Sequence, residues 1–83
     1  MNCYVIDTTT IRLESERFEK GYTDITPVEI VAKSPTHFIA ADEKGLIQAE
    51  FLFGLNEILV RHPTYDGIQF PMNEHVVQFF TSK

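Results

Sequence analysis

Short alternations of apolar and polar residues run through most of this chain and predict a protein built mainly from β-strands. The clearest alternation lies in residues 46–53, where Ile47, Ala49, Phe51 and Phe53 are separated by mostly polar neighbours, as in a strand with one buried face. Other short segments rich in β-branched and aromatic residues are also predicted strands: residues 2–7, 11–14, 57–61, 68–70 and 75–80.

Residues 25–33 carry two conflicting signals. Thr26 to Glu29 has the form of a helical capping box with proline at the first helical position. Val28, Ile30 and Val31 are β-branched, however, and the segment is short, so the sequence favours a strand here.

Residues 35–44 are predicted to form a short helix. Ser34 is a suitable N-cap, Pro35 suits the first helical position, and Gly45 stands where the chain leaves a helix. The alternative is a hairpin that turns at 43–45, since Phe38 to Ala41 also suits a strand.

The C-terminal segment is predicted to be a hairpin, in which residues 71–74 join the strands at 68–70 and 75–80. Residues 65–67 (Tyr-Asp-Gly) read as a turn before it. The alternative is a C-terminal helix capped by Asn73, because Val76 and Phe80 are four residues apart.

Together these elements predict an α+β fold in which a mostly antiparallel sheet of about five to six strands carries one short helix, or two, on one face. Residues 1–83 are expected to form a single small domain. Seven phenylalanines and three tyrosines supply the apolar area that a core of this size needs. Cys3, the single cysteine, is expected to be a small buried residue of the first strand.

Charge and cysteine content limit the classes of partner and the location. The net charge is −5 and the seven basic residues are scattered, which disfavours direct binding to nucleic acid. A single cysteine precludes an intrachain disulfide, and no apolar run approaches the length of a membrane span. We therefore expect a cytoplasmic protein that does not bind membranes.

Recognisable catalytic, cofactor and metal motifs are missing from the sequence, so we expect a protein that is not an enzyme and uses no cofactor. The enzymatic alternative is a small metal-dependent hydrolase or nuclease that uses Asp42, Lys44 and a histidine, although the second carboxylate of such a site is not apparent. His62 and His75 do not have the spacing of a tetrahedral metal site.

The candidate binding residues are acids and rings. Four acids cluster between residues 14 and 24 beside two aromatic side chains, and two further rings are expected to be exposed on a turn and on the far face of the sheet. The predicted partner-binding residues are Glu14, Glu16, Phe18, Glu19, Tyr22, Asp24, Tyr65 and Phe70. Residues 15–24 are predicted to form the tip of a hairpin or an exposed loop. Basic residues lie among these acids, so a solvated hairpin with internal ion pairs would also account for them.

These features predict a small acidic module that binds another protein by contact or occlusion. Carboxylates can take the place of phosphates in a basic groove, so one version is an inhibitor of a nucleic-acid-binding protein. Inhibitors encoded by phages and mobile elements, such as anti-CRISPR and anti-restriction proteins, often share this size and charge. A different class is a structural subunit that forms a homodimer through its sheet edge or exposed aromatic residues.

Overall fold

Residues 1–82, which the computed structural model describes, form eight strands followed by one helix. The elements are β1 (Asn2–Val5), β2 (Ile11–Glu14), β3 (Tyr22–Ile25), β4 (Glu29–Ser34), β5 (His37–Ala41), β6 (Ile47–Phe53), β7 (Glu57–His62), β8 (Tyr65–Pro71) and α1 (Glu74–Thr81). The predicted α+β class is confirmed, but the strands form two antiparallel sheets instead of one. One sheet has the order β1-β2-β3 and the other the order β4-β5-β6-β7-β8.

The inner faces of both sheets and one face of α1 enclose a common core. Alternate residues of each strand enter it, as the two-residue period of a strand requires. The predicted alternation in β6 is confirmed for Ala49 and Phe51, which are fully buried, whereas Ile47 at the start of the strand stays 47% exposed. Cys3 is buried in β1 as predicted.

Phenylalanines from the larger sheet and from α1 form the centre of this core. The ring centroid of Phe80 lies 4.5 Å from that of Phe51, 5.7 Å from that of Phe38 and 5.8 Å from that of Phe53. Such tilted ring pairs add to the stabilisation that burial of their area provides. Phe70, which the sequence placed on an exposed sheet face, is 1% exposed, so that prediction was wrong.

Residues 35–44 form a hairpin, so the predicted helix was wrong and its alternative is confirmed. β5 lies between β4 and β6 and turns into β6 after Ala41. The carboxylate Oδ1 of Asp42 accepts hydrogen bonds from the amides of Lys44 (2.9 Å) and Leu46 (3.0 Å), and Gly45 adopts a positive φ of 77°. An isolated helix of this length is marginal, whereas a central strand satisfies its backbone on both sides.

The C-terminal hairpin was also wrong, because residues 74–81 are helical. Asn73 caps α1 by accepting a hydrogen bond from the amide of His75 at 2.9 Å. Val76, Phe79 and Phe80 are all buried, and only a helix can turn the two adjacent phenylalanines toward one core. The turn predicted at 65–67 lies earlier, at residues 63–64, because His62 pairs with Tyr65 across the β7–β8 hairpin.

Two other predictions of local structure are confirmed. Residues 15–24 include the tip of the hairpin between β2 and β3, although its last residues, Tyr22 to Asp24, belong to β3 itself. The strand favoured for residues 25–33 exists as β4 from Glu29 to Ser34, and residues 26–28 connect it to β3.

Asn73 links the two ends of the fold, and its replacement tests that link. Its side-chain Nδ2 donates to the carbonyl of Cys3 at 3.1 Å, while its Oδ1 caps α1. We expect Asn73→Ala to lower the free energy of unfolding by about 1–2 kcal/mol, because it removes the cap and leaves the Cys3 carbonyl unpaired. Urea unfolding measures the change. Asn73→Asp keeps the cap acceptor and should lose less; equal losses for both variants would contradict a contribution from the cap.

Candidate functional site

The outer face of the three-stranded sheet carries Glu14, Tyr22 and Asp24, three of the eight residues predicted to bind a partner. Strand pairing places Arg12 between Tyr4 and Asp24, and Glu14 opposite Tyr22. These side chains point away from the core because their neighbours along the strands are buried. Asp24 and Tyr22 are exposed, and Glu14 is half-buried.

Internal pairing neutralises part of this face. The guanidinium of Arg12 donates to both carboxylate oxygens of Asp24, at 2.8 and 3.1 Å, and lies 4.1 Å from the centre of the Tyr22 ring. This bidentate contact lowers the pKa of Asp24 and raises the pKa of Arg12. The hydroxyl of Tyr4 donates to Glu14 at 2.8 Å, which raises the pKa of Tyr4. Asp24 and Glu14 are therefore already engaged within the chain.

The tip of the β2–β3 hairpin is an ordered loop that leaves two acids exposed. Ser15 is 4% exposed, and its carbonyl and hydroxyl oxygens accept the amides of Phe18 (3.1 Å) and Arg17 (3.1 Å). Glu16 and Glu19 extend into solvent, and none of the ion pairs found within residues 1–82 involves them. They are the acids of the predicted cluster that remain available to a partner.

Phe18 and Tyr65 hold this tip against the body of the protein instead of forming exposed anchors. Their ring centroids are 5.3 Å apart in an edge-to-face arrangement, and both pack against the core. Burial raises the pKa of Tyr65 to about 12, and its hydroxyl oxygen is shielded without a hydrogen-bond partner among the described residues. The predicted exposure of Tyr65 was therefore wrong.

The outer face of the five-stranded sheet presents two aliphatic pairs, in adjacent rows of the sheet, that the sequence analysis missed. Cross-strand pairing aligns Val31 with Ile39, and Leu52 with Leu59. All four side chains are half-buried and lie on the face opposite the core, which holds their buried neighbours Phe38, Phe51, Ile58 and Val60. The surface around these four aliphatic residues is the sheet face.

Gly67 leaves room for the Leu59 side chain at one end of the sheet face. A Cβ atom at this position would lie 2.9 Å from Cδ1 of Leu59, so the Leu59 side chain extends over the glycine of the adjacent strand. The strand therefore approaches Leu59 closely without a side chain above it.

Polar groups lie beside the aliphatic residues of the sheet face, since His37 pairs with Leu52 and Glu50 pairs with Ile39. Nε2 of His37 lies 3.7 Å from Oε1 of Glu50, too far for a hydrogen bond, and it is shielded from solvent without a hydrogen-bond partner within residues 1–82. Arg61 is exposed opposite Glu50 on the next strand. Most shielded polar atoms are hydrogen-bonded, so Nε2 of His37 is an exception.

The enzymatic alternative depended on Asp42, which the structure places in a tight turn. Its Oδ1 atom accepts two backbone amides, and Lys44 in the same turn is exposed. His62 accepts the amide of Thr64 at Nδ1, at 3.1 Å, and stacks on Tyr65, while burial lowers its pKa. Within residues 1–82, His, Cys, Asp and Glu side chains form no group of three or more that could hold a metal ion.

No known protein family, curated protein or solved structure matches this chain. The helix found within residues 1–82 is too short to cross a membrane.

Proposed function

We propose that this protein is a small binding module that acts by contact with another protein, and that the sheet face is its docking surface. The observation that carries the proposal is the group of four aliphatic residues, Val31 with Ile39 and Leu52 with Leu59, which lies opposite the core. An apolar centre with a polar rim is the usual anatomy of a protein interface. Large aliphatic side chains that adjoin on a surface are typical of such interfaces.

The negative charge of this protein indicates a partner with a basic surface. By strand alternation Glu29, Glu50 and Glu57 share the outer side of the larger sheet with Arg61, and the whole chain carries a net charge of −5. A complementary partner presents aliphatic side chains surrounded by lysines or arginines. Proteins that bind nucleic acid have such basic surfaces, so occlusion of one is the form of action that we propose, in the cytoplasm.

The test compares the effect of an arginine substitution at two leucines, one in β6 and one in the turn between β6 and β7. Leu52 lies on the sheet face, whereas Leu55 is 91% exposed in the turn between β6 and β7. We expect Leu52→Arg to abolish retention of a partner from a lysate of the source cells, because it places a cation in the apolar centre. Leu55→Arg adds the same charge outside that centre and should retain the partner.

The readout is the set of proteins retained by each immobilised variant, identified by mass spectrometry, with circular dichroism to show that both variants fold. Loss of one basic protein from the Leu52→Arg sample alone supports the proposal, and its release by added salt supports the charge complementarity. Identical retention by all three forms would overturn the sheet face as the docking surface.

A further inference from the structure

β4 forms one edge of the five-stranded sheet and leaves its outer side without a strand partner among the described residues. Every residue of β4 is half-buried or exposed. An edge of this kind can accept a further strand, since its outward amides and carbonyls are free to form the same ladder as the strands inside the sheet.

The backbone direction of β4 follows from a hydrogen bond at the start of β5. The amide of Phe53 donates to the carbonyl of Thr36 at 2.8 Å, so the backbone of Thr36 faces β6. Backbone groups alternate sides along a strand, and Ile39 therefore faces β4, where it pairs with Val31. Val31 thus directs its own backbone inward, toward β5.

Its neighbours Ile30 and Ala32 consequently direct their amides and carbonyls toward the free edge. Their side chains lie on the inner side of the sheet, beside a groove of about 340 Å³ between β4 and the end of α1. The aromatic residues of this groove are Phe38 and Phe80. An incoming strand would find backbone partners at the edge and an apolar groove beside it.

We propose that the strand received at this edge is β4 of a second copy of this chain. An antiparallel pairing about a two-fold axis at Val31 brings each Val31 opposite its counterpart. The same register places Ile30 opposite Ala32 of the second copy, a large side chain against a small one. It also places Glu29 opposite Lys33 of the second copy, and the symmetry repeats both contacts.

The charges of β4 favour this occupant over other strands. Glu29 and Lys33 are exposed, and none of the ion pairs found within residues 1–82 involves either of them. The register shift between Ala32 and Ser34 leaves Lys33 without an opposite residue on β5. Two acidic chains repel each other overall, but at this edge each acid meets a base, so the edge is complementary to itself.

The pairing also joins two apolar surfaces. On the outer side, Val31 and Ile39 of one copy become continuous with Val31 and Ile39 of the other. On the inner side, Ile30 of each copy extends toward the groove beside Ala32 of the other. Two five-stranded sheets then form one sheet that crosses the dimer. This dimer does not depend on the proposed docking of another protein.

A charge exchange tests the pairing directly. Wild-type protein should dimerise in sedimentation equilibrium. Glu29→Lys and Lys33→Glu should each weaken dimerisation about tenfold or more, because like charges then face each other twice. The double variant Glu29→Lys/Lys33→Glu restores opposite charges and should return the dimerisation constant to the wild-type value.

Glu43 and Lys44 provide the matched control, since they are an exposed acid and base in the β5–β6 turn. Glu43→Lys and Lys44→Glu change the net charge equally and should leave dimerisation unchanged. A monomeric wild type at millimolar concentration would overturn the proposal. So would a dimer that tolerates both single changes in β4, or a double variant that stays weakened.

A cysteine substitution tests the register. In a Cys3→Ala background, Val31→Cys should oxidise to a disulfide-linked dimer, because only a residue on the two-fold axis meets itself at bonding distance. Leu55→Cys, which lies in an exposed turn, should remain mostly monomeric under the same oxidation. Equal cross-linking of the two variants would contradict a two-fold axis at Val31.

Discussion

Phe80→Ala is expected to remove most of the stability of the fold. Phe80 is 1% exposed and lies within 6 Å, centroid to centroid, of four other phenylalanine rings. Truncation of a buried phenylalanine costs about 3–5 kcal/mol, because apolar area is lost and a cavity remains. In a domain of this size that loss is comparable to the whole free energy of unfolding.

Thermal unfolding followed by circular dichroism measures the effect, and we expect the Tm to fall by about 15–25 °C or the variant to be unfolded at room temperature. Two controls frame the result. Phe80→Leu keeps most of the apolar volume and should lose clearly less. Gln78→Ala changes an exposed residue of the same helix and should leave the Tm nearly unchanged. A small loss in Phe80→Ala would mean that α1 does not seal the core.

Cys3 is expected to resist alkylation for as long as the protein is folded. It is 2% exposed, and burial raises its pKa from 9.0 to about 12. At neutral pH the reactive thiolate is therefore populated roughly a thousandfold less than in an exposed thiol. Labelling with iodoacetamide at pH 8, followed by mass spectrometry, should proceed only through opening of β1.

The reference is an exposed thiol in the same fold, made as Cys3→Ala/Ser82→Cys, since Ser82 is exposed just beyond α1. Cys3 should react at least about a hundredfold more slowly than Cys at position 82, and the two should converge in denaturant. Similar rates in the native protein would show that β1 is not held against the core.

A strand with one polar face could be recognised from the sequence, whereas a strand with apolar residues on both faces could not. β6 shows its alternation because Gln48 and Glu50 separate buried residues. β5 has apolar residues on both faces, since Ile39 lies on the outer face while Phe38 and Ala40 enter the core. Without polar residues to show the period, the flanking Ser-Pro and Gly signals favoured a helix instead.

The C-terminal helix contained both signals in its sequence. Asn73 is an N-cap residue, and Val76 and Phe80 have helical spacing, but β-branched and aromatic residues at 76–80 equally suit a strand. The choice between helix and strand depends on whether both adjacent phenylalanines must be buried in the core. Phe79 and Phe80 are both buried, and only the three-dimensional environment shows that both are needed inside.

Part of the candidate site could likewise be predicted from the sequence, and part could not. The position of the acids on a hairpin followed from composition, and the structure leaves Glu16 and Glu19 exposed at its tip. The bidentate contact between Arg12 and Asp24 depends on strand register, which residue types do not specify. The sheet face was missed for the same reason, because its four aliphatic residues come from four strands and meet only through pairing.

The sheet order has a consequence for how the chain reaches its native state during synthesis. Strands that are neighbours in a sheet are also consecutive along the chain. The hydrogen bonds of each pair can therefore form as soon as its second strand leaves the ribosome. Phe80, however, belongs to the last element described, and the rings that it covers remain open until α1 arrives. A nascent chain would therefore carry assembled sheets with an exposed aromatic interior, the state in which it most needs protection by a chaperone.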